Sequence, residues 1–182
     1  DIGKGITVDN SDNIYVTGAT AGGLDGNTNS GGGYNDIFLV KYNSSGTKQW
    51  TKQLGNGSVN VGNGVKVDTS NNIYVTGYTE EGLDGNTNSG DKDIVLVKYN
   101  SSGTKQWTKQ LGTSSDDRGY GVTVDYSNNV YVTGYTYGGI DGNSNWGGKD
   151  LFLVKYSLGT PTLQLETGGI DHHAFYSSSN DT

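Results

Sequence analysis

The sequence predicts an all-β protein made of three copies of one four-stranded antiparallel unit. The first observation is a triple repeat, because "NIYVTG" begins at Asn13 and at Asn72 and "NVYVTG" begins at Asn129, with offsets of 59 and 57 residues. The second is that apolar residues form short dense runs, such as "IFLVKY", between turns rich in Gly, Asn and Ser. The third is that no segment keeps apolar residues at helical spacing.

Each copy divides into four predicted strands. The first reads "GKGITVD", "GNGVKVD" or "GYGVTVD", with alternating apolar residues, and the second is the "NIYVTG" segment. The third, "DIFLVKY" and its equivalents, is almost continuously apolar, which is typical of a strand buried on both faces. The fourth, "TKQWTKQLG", follows the turn sequence "NSSG". Four-stranded units of this period that stack face to face are the blades of a β-propeller.

The composition narrows the classes of function. The 182 residues carry a formal net charge of -7, and the lysines recur at repeat positions without clustering, so we expect no nucleic-acid partner. The chain has no Cys, which excludes a disulfide framework and thiolate chemistry and is compatible with an extracellular protein. No apolar run is long enough to span a bilayer, so we expect no membrane insertion.

The segment "GVTVDYSNNVYVTGYTYGGIDGNSNWGGKDLFLVKY" and its two earlier copies resemble the bacterial β-propeller repeat family called SBBP. The resemblance extends over residues 3–168. It implies a propeller carried by a secreted or surface-attached bacterial protein, and it implies no single activity, because one fold hosts many functions.

Three units do not close a propeller ring, which has at least four blades. We expect blades over residues 1–59, 60–117 and 118–168, and a non-repeat C-terminal tail over residues 169–182. Two apolar faces are then open, so the expected partners are a second copy, which gives a homodimer of six blades, or further blades of a longer parent chain. In the last copy Pro161 enters the fourth strand and Leu163 replaces Trp, which suits an edge. No first-strand motif follows Gly168, so we expect the array to end there and its start to be a cleavage product or a cut in a longer chain.

A loop of Asp, Asn and Gly, called the DGN loop below, occurs in every copy as "DGNTNSG" or "DGNSNWG". Oxygen-bearing side chains alternate along it, and a closing Asp follows the first Asp by 11 residues in the first copy and by 9 in the others. Alternating oxygens can wrap Ca²⁺, as in an EF-hand loop, so Ca²⁺ is the one expected cofactor. The alternative is a turn held by side-chain to backbone hydrogen bonds, and repetition fits both. The candidate ligands are Asp25, Asn27, Asn29 and Asp36; Asp84, Asn86, Asn88 and Asp93; and Asp141, Asn143, Asn145 and Asp150.

Three other repeated positions are interpreted as structural. An Asp in the turn between the first two strands bonds its own backbone, a Trp in the fourth strand packs on the blade, and a Lys that ends the third strand lays its stem on the sheet. These positions are Asp9, Asp68 and Asp125; Trp50 and Trp107; and Lys41, Lys98 and Lys155.

One candidate ligand site is not repeated. Trp146 stands in the third DGN loop, where the other copies have Ser, so the fold does not require it. Tyr135 and Tyr137 are near it in sequence. Exposed rings of this kind can stack on the face of a sugar, which makes a glycan one candidate ligand.

No catalytic set is recognisable in the sequence. Asp171, His172 and His173 form the segment "DHH", but the further acidic motifs of a phosphoesterase or metal site are missing. We therefore expect no enzyme, and we interpret the chain as a binding, adhesion or scaffold module of a bacterial surface or secreted protein, with a protein or glycan ligand and stabilisation by Ca²⁺. The alternatives are a carbohydrate-binding lectin and an enzyme with its site at the propeller axis.

Overall fold

A computed structural model describes residues 1–157 and, for the backbone alone, residues 174–179. Within these ranges the protein consists of three four-stranded sheets, one short 3₁₀ helix (Ile140–Gly142) and connecting loops. The predicted all-β class with three blades is confirmed. No helix in the described ranges is long and apolar enough to cross a membrane.

The first two sheets are antiparallel meanders whose strands lie in chain order. The strands of the first sheet are β1 (Ile2–Val8), β2 (Ile14–Thr20), β3 (Asp36–Tyr42) and β4 (Lys48–Leu54). The strands of the second are β5 (Asn60–Val67), β6 (Ile73–Thr79), β7 (Asp93–Tyr99) and β8 (Lys105–Leu111). The registers are equivalent, because Thr17 lies opposite Leu39 in the first sheet and Thr76 lies opposite Leu96 in the second.

The third sheet departs from this pattern in its last strand. Its antiparallel part contains β9 (Asp117–Val124), β10 (Val130–Thr136) and β11 (Asp150–Ser157). The fourth strand, β12 (Ala174–Ser179), pairs parallel to β11 and comes from the segment predicted to be a non-repeat tail. A parallel neighbour needs a connection of about a dozen residues or more, and residues 158–173 separate the two strands. The predicted antiparallel strand around Pro161 and Leu163 lies outside the described residues.

Two apolar clusters join the blades. On the first blade, Ile37 and Leu39 are buried in one cluster with Val95 and Val97 of the second blade. The intervening positions of β7, which point to the opposite face, enter another cluster with Phe152 of the third blade. The second blade therefore has both faces buried, which explains why β7 is apolar at nearly every position.

The inner strands β1, β5 and β9 lie side by side, with β5 in the middle. A Cβ atom on Gly5 would lie 2.8 Å from the backbone oxygen of Asn63, and one on Gly64 would lie 2.5 Å from that of Tyr120. At these two positions the second Gly of "GxG" is therefore required by the approach of the neighbouring backbone. The Asn63 side chain also donates to the Gly119 oxygen, over 2.8 Å.

The end blades expose apolar side chains that the middle blade buries. On β11, Phe152 and Val154 are buried against the second blade, whereas Leu153 is half-buried and Leu151 is 45% exposed. On β1, Ile6 and its apolar neighbours are exposed. The prediction that the third strand is buried on both faces is right for β7 and wrong for β11, because no further blade covers that face within the described residues.

Candidate ligand-binding surface

The DGN loops connect the second and third strands at one end of the blades, and each begins with an Asp in the left-handed region. Asp25, Asp84 and Asp141 have φ of 53°, 54° and 51°, a conformation that Asp and Asn adopt more readily than other residues with side chains. In every loop the next Asn donates its side-chain N–H to the carbonyl three residues earlier, and the Asn after it accepts from a backbone N–H. These bonds are made by Asn27, Asn86 and Asn143 as donors and by Asn29, Asn88 and Asn145 as acceptors.

The first Asp of the loop is bonded to the fourth strand of its own blade. The Asp25 carboxylate accepts from the Lys48 ammonium and the Thr51 hydroxyl, and the hydrogen bond from Lys48 is the main cause of the lowered pKa of Asp25. In the second blade, Asp84 makes the same two bonds, with Lys105 and Thr108. These bonds pin the loop to the edge of the sheet.

The closing Asp residues lie deeper in the blade. Asp93 is buried, and one of its carboxylate oxygens accepts from the Ser89 backbone N–H and from the Gln110 side chain, both over 2.9 Å. Burial raises the pKa of Asp93 above the usual range of an aspartate. Asp36 is held in the same way, and Asp150 accepts from the Trp146 backbone N–H over 2.8 Å.

The loop conformation does not bring the candidate calcium ligands to one point. Asp84 is bonded to Thr108 and Asp93 to Gln110, and these two residues are roughly 7 Å apart along one face of β8. A bound Ca²⁺ needs all its oxygens at about 2.3–2.6 Å. The described residues contain no cluster of three or more His, Cys, Asp or Glu close enough to hold a metal ion. The conformation matches the turn alternative, and calcium binding stays a prediction that requires the carboxylates to move.

A second set of repeated Asp residues surrounds a cavity of about 360 Å³ between the far ends of the inner strands. The Asp125 carboxylate accepts from the backbone N–H groups of Ser127 and Asn129, from the Asn129 side chain and from the Tyr131 hydroxyl, over 2.7–3.1 Å. Asp9 and Asp68 accept the same four bonds from their own turns. These carboxylates are fully engaged in holding the turns, as their structural interpretation requires.

A repeated arrangement of Trp, Tyr and Lys stiffens the first two blades. The Trp50 ring lies 6.2 Å from the Tyr15 ring, and the Lys41 ammonium lies 5.3 Å from the same ring. Trp107, Tyr74 and Lys98 repeat this arrangement in the second blade. The recurrence indicates packing, and the third blade keeps its Lys155–Tyr131 contact at 5.7 Å.

The third blade carries an aromatic surface without counterpart in the first. It consists of Tyr120, Tyr135, Tyr137 and Lys149. The Tyr135 ring lies 5.8 Å from Tyr120 and 5.6 Å from Tyr137, and the Lys149 ammonium is 4.1 Å from its centre. Tyr120 is 47% and Tyr137 43% exposed, so two of the three rings are open to a ligand.

Of the predicted ligand residues, the structure joins Tyr135 and Tyr137 and leaves Trp146 apart. The Trp146 side chain is 80% exposed, and no stacking of its ring on another ring is observed among the described residues. Sequence reasoning missed Tyr120 and Lys149. The signal that could have found them is the difference between copies, because Tyr120 occupies the position of Lys4 and Asn63.

A polar contact also lies between the second and third blades. The only Arg of the chain, Arg118, makes a two-pronged ion pair with Asp116 over 2.7 Å and lies 4.6 Å from the Tyr78 ring, at the junction of the second and third blades. The segment Asp171, His172 and His173 falls outside the described part of the chain.

Comparison with known proteins adds to these observations. The family of beta-propeller repeats called SBBP matches residues 1–25, 49–84 and 106–145, more than half of the chain. An uncharacterized WD repeat-containing protein of Acanthamoeba polyphaga mimivirus is 32% identical over 148 residues, which cover 72% of this chain and 10% of that protein. Regulatory protein FlaEY of Caulobacter vibrioides is 24% identical over 159 residues, which cover 79% of this chain and 17% of that protein.

The chain thus spans less than a fifth of the length of these two relatives. Each of the three matched stretches contains the first two strands of one sheet, and the second and third stretches also include most of the last strand of the preceding sheet. The repeat pattern, the three blades and the family match agree, and the chain belongs to the SBBP family of beta-propeller repeats.

Proposed function

We propose that this chain is a non-catalytic binding module of a secreted or cell-surface protein and that its ligand contacts the aromatic surface of the third blade. Beta-propeller repeats are scaffolds that hold variable residues on a rigid frame, and the WD repeat relative supports a scaffold or binding class. The surface location and a role in adhesion rest on the resemblance to bacterial surface proteins. Antibody labelling of intact cells that make the full-length parent protein tests that location.

One observation carries the proposal. The rings of Tyr120, Tyr135 and Tyr137 form a half-exposed group at positions where the first blade has Lys4, Ala19 and Ala21. The first blade folds without these rings, so packing does not require them. Aromatic side chains supply much of the binding energy at interfaces, because they bury a large area with little loss of rotamer freedom.

A carbohydrate is the ligand class that a second observation favours. The Trp146 ring, in the DGN loop of the same blade, is 80% exposed and replaces Ser30 and Ser89 of the other copies. A flat exposed ring can cover the apolar face of a sugar, while the neighbouring Asn and Ser side chains can bond its hydroxyl groups.

The alternative of an enzyme with its active site at the propeller axis has less support. The three carboxylates that line the axial cavity each accept four hydrogen bonds from their own turns. Such bonds fix each carboxylate as an acceptor within its own turn and leave it little freedom to act on a substrate.

A glycan array tests the proposal with a matched pair of variants. Tyr137→Ala removes an exposed ring from the aromatic surface, and Tyr126→Ala removes a fully exposed ring from the turn at the opposite end of the same blade. We expect the wild type and Tyr126→Ala to bind the same glycans and Tyr137→Ala to lose them. Loss of binding in Trp146→Ala as well would assign the lectin role to that loop.

Equal binding by Tyr137→Ala and the wild type would contradict the proposed contact surface. If no glycan binds, the same four proteins applied to an array of extracellular proteins test a protein ligand at the same surface.

A further inference from the structure

We propose that Lys149, with the rings of Tyr135 and Tyr137, binds a carboxylate group of an acidic polysaccharide. The inference rests on the proposed function of the aromatic surface and names the chemistry of its ligand. It follows from what the third blade has lost relative to the second.

In the second blade the equivalent lysine, Lys92, forms ion pairs with two carboxylates of its own blade. The Lys92 ammonium lies 2.9 Å from the Asp91 carboxylate and 3.3 Å from that of Glu80. The aligned repeats place Tyr137 at the position of Glu80 and Gly148 at the position of Asp91. The third blade therefore keeps the lysine and lacks both of its acidic partners.

The lysine is held by aromatic rings instead of by an acid. Its ammonium lies 4.1 Å from the centre of the Tyr135 ring and 5.8 Å from that of Tyr137, and no carboxylate of the described residues lies within ion-pair distance. A ring face attracts the cation without consuming its hydrogen-bond donors. Burial raises the pKa of the Tyr135 phenol to about 12, so this ring stays neutral beside the lysine. An external anion can take the place that Glu80 and Asp91 fill in the second blade.

The contrast with Lys155 separates this lysine from the structural ones. Lys155 lies 5.7 Å from the Tyr131 ring on the same blade, and the equivalent contacts of Lys41 and Lys98 recur in the other two blades. Those contacts belong to the repeated fold. The contact of Lys149 with two rings occurs once.

The rim of the site keeps part of its exposure when another blade packs beside the third. In the second blade, which has neighbours on both faces, the side chains of Lys92 and Glu80 keep 15% and 33% of their exposure. Tyr137 and Lys149 occupy these two positions at the rim. A neighbouring blade would therefore leave both in contact with solvent.

The surroundings favour a sugar acid over an acidic peptide. The rings of Tyr135 and Tyr137 meet edge to face, at 84°, so their ring faces point in different directions. The exposed Trp146 belongs to the loop that leads to Lys149 and offers a further ring for a polymer of sugars. A uronic acid unit carries both a sugar ring with an apolar C–H face, which can stack on the aromatic rings, and a carboxylate, which the lysine can bind.

The experiment compares polygalacturonate with the same polymer after full methyl esterification, which removes the charge and keeps the sugar rings. Affinity is measured by titration in low salt for the wild type, Lys149→Gln, Lys155→Gln and two variants of Tyr137. We expect the wild type to prefer the acid form by about ten-fold or more, since bonds between charged groups are the strong ones. Lys149→Gln should remove the preference, and Lys155→Gln should keep it.

Tyr137→Glu and Tyr137→Gln differ only in charge and therefore give the most direct test of the role of Lys149. The glutamate restores the internal acid that Lys92 has, so it should abolish binding of the acid form, whereas the uncharged glutamine should retain part of the preference for it. Added salt should weaken binding of the acid form more than that of the ester.

The outcomes distinguish the two proposals. Equal affinity for both polymers, lost in Tyr137→Ala, would overturn acid recognition and leave the aromatic surface as the binding site. Binding of neither polymer would overturn the polyuronate proposal, and the protein array would then decide the proposed function. A preference that survives in Lys149→Gln would also overturn it.

Discussion

The carboxylate of Asp9 is fixed by its own turn. Burial alone would raise its pKa, but hydrogen bonds from the Asn13 side chain, from the Ser11 and Asn13 backbone and from the Tyr15 hydroxyl together lower the pKa below the usual value. A carboxyl whose pKa is lower in the folded state stabilises the fold above its unfolded pKa, near 4, and loses this contribution as pH falls through the folded pKa.

Asp9→Asn should therefore lower the free energy of unfolding at neutral pH and make it depend less on pH in the acid range. We expect a loss of about 1–3 kcal/mol at pH 7, since a buried charged acceptor of hydrogen bonds is removed, and a smaller difference from the wild type below pH 3. The measurement is urea unfolding between pH 2 and pH 7. Asp12→Asn, an exposed change in the same turn, is the control and should follow the wild type at every pH.

Binding of Ca²⁺ by the carboxylates of the DGN loops stays a prediction. If the DGN loops bind Ca²⁺, each site holds two carboxylates, such as Asp84 and Asp93, and the ion must displace Lys105 from Asp84. Weak affinity, near 10⁻⁴–10⁻³ M, is then expected, and millimolar Ca²⁺ should raise the melting temperature by mass action while Mg²⁺ does so poorly.

Asp84→Asn should reduce the Ca²⁺-dependent rise and leave the protein folded in EDTA, because the other loop hydrogen bonds remain. The measurement is a thermal melt in EDTA, Ca²⁺ and Mg²⁺. A wild-type melt that Ca²⁺ does not move would leave the loops as turns.

Among the elements, the third strand of each blade shows that the position of a blade in the array determines how much a buried leucine contributes to stability. Equivalence of the copies predicts similar losses for Leu39→Ala, Leu96→Ala and Leu153→Ala. The structure ranks them, because Leu39 and Leu96 are fully buried between blades and Leu153 is half-buried. We expect about 2–5 kcal/mol for each of the first two and clearly less for the third, measured by chemical unfolding. Equal losses at all three sites would mean that the outer face of β11 is covered.

The strands were predictable because their signals are local. Alternation in "GVTVD", the "NSSG" turn and the apolar run of β7 each correspond to one element, and triple repetition fixed their order. The parallel pairing of β12 with β11 was not predictable, because a strand partner that arrives through a crossover leaves no mark in the strand itself.

The candidate site was predictable only in part. Tyr135 and Tyr137 are two residues apart and therefore lie on one side of the same chain segment, which the sequence shows. Tyr120 and Lys149 reach the site from β9 and from the loop before β11, and only the pairing of these strands with β10 brings them together. The loss of acidic partners around Lys149 is visible in the aligned copies once the Lys92 ion pairs are known.

At the scale of the whole molecule, the first and third blades expose apolar side chains that a partner can cover. Ile6 on β1 is exposed, and Leu151 on β11 is 45% exposed, although both belong to the repeated strands. We propose that the isolated polypeptide pairs with a second copy, and that further blades of a longer parent chain take the same place where they are present.

Light scattering should give twice the 19.2 kDa of one chain. Ile6→Lys should shift the protein toward monomer without unfolding it, and Asn10→Lys, an exposed change in the adjoining turn, should not. A monodisperse wild-type monomer that unfolds cooperatively would refute the pairing.

The close approach of the inner strands bears on how such a chain can lengthen during evolution. The middle repeat carries both halves of the contact, because Gly64 accepts the backbone of the third blade and the Asn63 carbonyl fits Gly5 of the first. Tandem duplication of one repeat therefore creates two neighbours that already fit. The residue between the glycines differs in all three copies, where it is Lys4, Asn63 or Tyr120. Array length and surface chemistry can thus be selected separately within one gene.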